Sequence, residues 1–110
     1  MAFFFSHQDT PWTELGDGIR RKIVGHTPDL MSVLVHFDKG AIGTAHAHDM
    51  HDQIAFVVAG SFEADVAGMK RVLKVGDAFI AARQVHHGVV ALEAGSMLLD
   101  QFSPSRSDFL

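Results

Sequence analysis

Short runs in which apolar and polar residues alternate dominate this chain, and each is of strand length. They fall at Met31–Phe37, Ile54–Ala59, Phe62–Val66, Arg71–Val75, Ala78–Ala81, Gly88–Leu92 and Met97–Phe102. Gly40, Gly43, Gly60, Gly68, Gly76 and Gly95 punctuate the gaps between them. No long stretch shows helical periodicity, and only Pro11–Leu15 is expected to form a turn of helix. The pattern predicts an all-β fold, a sandwich or a small barrel, in a single domain spanning residues 1–110.

One run departs from simple alternation. Ile54-Ala-Phe-Val-Val-Ala59 is apolar on both faces, whereas a strand in a two-layer fold needs one apolar face. The second face then requires cover, and the expected cover is another copy of the chain in a homodimer. The competing source is the chain's own N-terminal segment.

Composition narrows the class. The chain has 110 residues, 47% of them hydrophobic, which suits one core. Its net charge is −4, and its Lys and Arg residues cluster only at Arg20–Lys22, so nothing recommends a nucleic-acid partner. There is no cysteine, which excludes disulfides and thiolate chemistry and suits a reducing, cytoplasmic setting. The opening MAFFFSHQDTPW lacks a basic segment, and its apolar run is too short for a signal peptide or a membrane span. Eight histidines in so short a chain are the feature that suggests chemistry.

Three of them crowd into residues 43–53, GTAHAHDMHDQ. His46 and His48 are one residue apart, so on a strand both rings face one way, with Cα atoms roughly 6.6 Å apart. Two imidazoles at that separation can converge on one ion with bonds of about 2.0–2.1 Å. Two surface histidines on a polar strand edge would show the same pattern.

The spacing around the pair adds to it. Five residues separate Gly40 from His46, four separate His48 from Gln53, and six separate Gln53 from Gly60. Further on, His87 follows Gly76 by eleven positions. In these stretches the chain resembles the cupin family. The family's first motif runs glycine, HxH, glutamate, glycine at this spacing; its second runs glycine, Pro-x-Gly, histidine, asparagine. Here Gln53 replaces the glutamate, Ala82-Arg83-Gln84 replaces Pro-x-Gly, and Ala91 replaces the asparagine. The resemblance implies a small jelly-roll barrel with a metal ion inside, held by His46, His48, Gln53 and His87.

His51 and His86 compete for ligand roles. His51 sits in the connection after the pair and suits the rim of a pocket; His86 neighbours His87 and so faces the other way on a strand. His36 is expected to be a satisfied, half-buried histidine, and His7 and His26 carry no signal. Three imidazoles and an amide are all neutral, so an ion among them keeps its full charge. Such a site binds metal less tightly than one with glutamate and polarises a bound oxygen more strongly. Imidazole does not choose among metals, and the expected cofactor is one divalent transition metal: nickel, zinc, iron or manganese.

Residues 98–110 read LLDQFSPSRSDFL. Leu98, Asp100 and Phe102 share one strand face. If that face looks inward, Asp100 is a partly desolvated carboxylate suited to moving protons. If the strand lies at a sheet edge, Asp100 is a charge that discourages edge pairing. Arg106 follows a turn-like Ser103-Pro104-Ser105 and can either fork onto a carboxylate or point to solvent.

A closer resemblance weighs these options. From Pro11-Trp12 and Arg21-Lys22-Ile23 through Val35-His36-Phe37 to Leu99-Asp100, Phe102, Pro104, Arg106 and Asp108-Phe109-Leu110, the chain is similar to the small pectin-degradation cupins. These linearise 4,5-unsaturated uronates and carry glutamine as the fourth ligand. The resemblance implies a sugar-acid substrate, Asp100 and Arg106 as catalytic residues, and Phe102 and Arg106 as substrate-binding residues. A cupin oxygenase and a non-catalytic sugar-binding cupin remain the alternatives, because the fold hosts many activities.

Overall fold

The computed structural model describes residues 3–110, so Met1 and Ala2 of the opening stretch lie outside the described residues. The alternating runs form strands, joined by others that the pattern did not predict. In chain order they are β1 (Thr13–Gly16), β2 (Ile19–Thr27), β3 (Leu30–Phe37), β4 (Ile42–His46), β5 (Asp52–Ala59), β6 (Ser61–Val66), β7 (Met69–Lys74), β8 (Ala78–Ala81), β9 (His87–Ala91) and β10 (Ser96–Ser103). A 3-10 turn, Ser107–Phe109, follows. Six strands pair in the order β1-β2-β3-β10-β5-β8 and four in the order β4-β9-β6-β7. Every pairing is antiparallel. The chain passes repeatedly between the two sheets, which gives the jelly-roll arrangement of the cupins.

Alternation sets the core. On β3, Met31, Val33, Val35 and Phe37 are buried while their neighbours face away. They meet Val57, Phe62, Ala64 and Leu98 from the strands beside and opposite. Phe37 and Phe62 pack edge to face with ring centroids 5.1 Å apart. Full burial of an apolar side chain of this size contributes about 1.5–3 kcal/mol.

One expectation is corrected, and one strand had given no alternating signal. Pro11–Leu15 forms no helical turn: Thr13–Gly16 is a strand paired with β2, because Gly16, Asp17 and Gly18 all take positive φ and fold a tight hairpin. The Arg20–Lys22 cluster belongs to β2, whose charges hid its alternation. Ile19, Arg21 and Ile23 pair with the inward residues Phe37, Val35 and Val33, and Arg20 and Lys22 take the outer face.

The N-terminal segment does cover part of that outer face. The buried Lys22 ammonium donates to the His7 carbonyl at 2.6 Å and lies 4.6 Å from the Trp12 ring centroid. Trp12 in turn packs edge-on against His36, with ring centroids 5.6 Å apart. This cover ends before β5 and β8, where Ile54, Phe56 and Ile80 stay exposed. Among the described residues, no helix is long and apolar enough to cross a membrane.

Candidate active site

Between the sheets lies a cavity of about 180 Å³ that collects residues from β1 to β5, β8, β9, β10 and the C-terminal turn. A larger groove, about 830 Å³, runs between residues 3–10 and β2, but among the described residues its lining offers His26 as the only histidine and no carboxylate.

His46 ends β4 and stands opposite His87, the first residue of β9, across an irregularity in the pairing after Gly43. His48 lies two residues beyond the strand, so the HxH pair does not sit on one strand as expected. The loop before β9 holds it instead: the Gln84 N–H donates to the His48 carbonyl at 2.7 Å. Gln84 has φ of 67°, which explains why the cupin motif places glycine at this position. A side chain there costs roughly 1–2 kcal/mol.

One ring nitrogen from each of His46, His48 and His87 lies within 4.8 Å of the other two. The outer nitrogens fix the proton positions. His46 Nδ1 donates to the Thr44 carbonyl at 2.7 Å, and His87 Nδ1 donates to the Val85 carbonyl at 3.0 Å. In the neutral, metal-ligating form of each ring this leaves the Nε2 lone pair facing inward. His46 Nε2 is 3.2 Å from His48 Nε2, which is 3.0 Å from Gln53 Oε1. His87 Nε2 is buried without a hydrogen-bond partner. Lone pairs crowded this closely repel one another unless a proton or a cation lies among them. The donor set fits a divalent transition metal, and the three-histidine group could hold one with Gln53 beside it.

Burial, helped by the positive charge of Arg106, pushes the His48 pKa down to about 4. Burial also lowers that of His87. Both rings thus stay neutral at physiological pH, the form that ligates metal.

Asp100 is not on an edge. Strand β10 runs between β3 and β5, with Val33 and Ala55 opposite Asp100 on either side. The edge-charge reading falls, and the carboxylate looks into the cavity. Its Oδ1 is enclosed with no hydrogen-bond partner. Burial pushes its pKa up to about 7, against smaller opposing effects of the Gln53 amide and the Arg106 charge. Phe102, two residues on, is buried with its ring edge-on to His48, centroids 5.6 Å apart.

Arg106 turns back from the C-terminal segment to the same cavity. Its side chain is only 18% exposed, so it is no surface arginine. It donates to both carboxylate oxygens of Asp108, at 3.3 and 2.7 Å. That partner holds the Asp108 carboxyl below the usual range.

The remaining histidines divide as their positions dictate. His51 donates its Nδ1 proton to the Pro104 carbonyl at 3.0 Å, sits 6.0 Å, ring to ring, from His48, and lies outside the three-histidine group. His86 is exposed and lies outside the three-histidine group. His36 faces away from the cavity against Trp12; it is half-buried as expected, but its Nδ1 has no partner. Arg21 and Phe109 are among the cavity residues that had no role assigned from the sequence. Only the inward parity of Arg21 with Ile19 and Ile23 could have signalled the first.

Comparison with known proteins identifies the family of the chain. Residues 33–99 match the family model described as the cupin domain. The pectin degradation protein KdgF of Dickeya dadantii (strain 3937) is 61% identical over 110 residues, covering 100% of both chains. The structure of KdgF from Halomonas sp. superposes with a TM-score of 0.98 at 52% identity, covering 100% of both chains. An RmlC-like cupin from Shewanella frigidimarina NCIMB 400 gives a TM-score of 0.94 at 40% identity, covering 100% of this chain and 97% of the other. The chain belongs to the cupin family, and within it to the group of the pectin degradation protein KdgF.

Proposed function

We propose that the protein is a metal-dependent enzyme that opens and ketonises 4,5-unsaturated uronate monosaccharides. The observation that carries this reading is that an enclosed carboxylate, Asp100, and a guanidinium, Arg106, face the same small cavity as three inward imidazoles and Gln53. Sixty-one per cent identity to a pectin degradation protein supports the substrate class.

The substrate carries a C4=C5 double bond, a ring oxygen on C5 and a carboxylate at C6. Breaking the C1–O bond of the hemiacetal turns C1 into an aldehyde and leaves the ring oxygen as an enol oxygen. A proton leaves the C1 hydroxyl, and a proton arrives at C4 to give the linear 5-keto acid. The reaction is an isomerisation that needs no oxidant. His46, His48, Gln53 and His87 would hold the metal. The chemistry a bound cation supplies there is Lewis acidity toward the carboxylate and the enol oxygen.

Asp100 moves the proton. A carboxyl titrating near neutrality can both accept the C1 proton and deliver one to C4. Arg106 clamps the substrate carboxylate in place of Asp108, and Phe102 walls the sugar ring. Neutral Gln53 leaves the positive charge of the site undiminished for an anionic substrate.

The protein works as a homodimer, pairing the exposed face of β5 and β8. Leu30, Ile54, Phe56 and Ile80 form an apolar surface there that the N-terminal segment leaves open. A second copy of the same surface covers it symmetrically.

The direct test mixes metal-loaded protein with unsaturated monouronate and follows ultraviolet absorbance. The ring form carries a conjugated enol ether, and the linear product does not. Decay faster than the spontaneous rate is expected. No acceleration with nickel, zinc, iron or manganese would overturn the reading.

A further inference from the structure

Arg21 lies on β2 opposite Val35, on the inward face with Ile19 and Ile23. Its neighbours Arg20 and Lys22 turn outward to Trp12. Arg21 is the one cation of this cluster that lines the metal cavity. Its guanidinium carbon is 3.8 Å from the Phe109 ring centroid, and that of Arg106 is 4.0 Å from the same centroid. At those heights one face of a ring has room for one guanidinium, so the two bracket Phe109.

The two charges are treated differently. Arg106 holds Asp108 through two hydrogen bonds. Arg21 has neither an ion pair nor a side-chain hydrogen bond among the described residues. Among the described residues, Asp100 is the only carboxylate that lines the cavity, and it sits on β10, two strands away. A half-buried guanidinium has five donors and cannot shed its charge, and an aromatic face satisfies none of those donors fully. The ring between the two arginines has a positive edge. An oxygen anion at that edge would meet a fork from each side.

We propose that Arg21 is a second substrate-anchoring residue, binding the sugar-acid carboxylate together with Arg106. This rests on the uronate reading above for the identity of the substrate, but the anion site itself does not.

The test uses the metal-loaded full chain and the variants Arg21→Gln, Arg21→Lys and Phe109→Leu, each checked for folding by circular dichroism. Rates are measured on unsaturated monouronate, and calorimetry follows the binding of galacturonate and of uncharged galactose. Arg21→Gln should raise KM and weaken galacturonate binding about 10- to 100-fold, the usual scale for a charge-assisted hydrogen bond. Its kcat should change little, because the anchor serves ground and transition states alike. Lysine should restore part of the loss, since it keeps the charge but not the fork. Galactose binding should not respond.

Unchanged KM and galacturonate affinity in Arg21→Gln would overturn the proposal, as would no galacturonate binding by the wild type. So would a full reproduction of the loss by Phe109→Leu with nothing added when Arg21→Gln is combined with it, since Arg21 would then act only through the ring. If Arg21→Gln does not fold, Arg21→Met, which keeps the apolar stem without the charge, takes its place, and an unaltered KM there overturns the proposal. If the wild type does not linearise the uronate, the functional reading fails, and the calorimetry still decides the anion site.

Discussion

Replacing Asp100 with asparagine should make the metal-free protein more stable and the metal-loaded protein far slower. Asp100 sits on a central strand with Val33 and Ala55 on either side and one oxygen enclosed without a partner. Burial lifts its pKa from 3.8 to about 7, so the folded protein holds this proton more tightly than the unfolded chain does. The stability contributed by protonation is fully present below about pH 4 and is lost as the pH rises through about 7. A shift of about three units corresponds to a loss of about 4 kcal/mol between those limits.

Asparagine has nearly the same shape and never ionises. Urea unfolding of chelator-treated protein at about pH 4 and about pH 8.5 measures the difference. The two proteins should agree within about 1 kcal/mol in acid, and the variant should be more stable by a few kcal/mol at alkaline pH. Reloaded with metal, the variant should turn over about 10²–10⁴-fold more slowly, the usual contribution of a positioned proton-transfer group. An identical pH slope in both proteins would refute the burial argument. Unchanged turnover would refute the proton-transfer role.

Other positions give independent checks. Gln53→Glu should bind metal about tenfold more tightly or better, since each 1.4 kcal/mol of added attraction is a factor of ten, and should slow turnover by reducing the charge offered to the substrate; metal titration alongside the absorbance assay reads both. Gly60→Ala should cost more than about 2 kcal/mol by thermal or urea unfolding, because φ there is +68° and an added Cβ would lie 2.8 Å from the Ser96 Cα. Ile80→Glu, on the 70% exposed Ile80, should yield a monomer in sedimentation velocity with the fold intact; an unaltered mass, or a wild type already monomeric, would rule out this face as the dimer contact.

Much of the architecture was legible in the chain because strand parity is local. The buried series on β3 and the inward Ala55 and Val57 on β5 follow from alternation, whatever the topology. Glycine spacing and the HxH pair likewise carried the cupin resemblance. Parity also showed that Asp100 shares a face with Leu98 and Phe102. It could not say which way that face looks. The insertion of β10 between β3 and β5 decided it, and with it the raised pKa, because burial depends on strands distant in sequence.

The same limit hid β2. Its charges masked the alternation, and only pairing with β3 sent Arg20 and Lys22 outward while leaving Arg21 in the cavity. The convergence of His87 with His46 and His48, forty residues apart, is likewise a product of β9 lying against β4. Residue type and local spacing determined which chemistry this protein could carry. Tertiary pairing decided which of those groups meet, because desolvation and charge act through space and not along the chain.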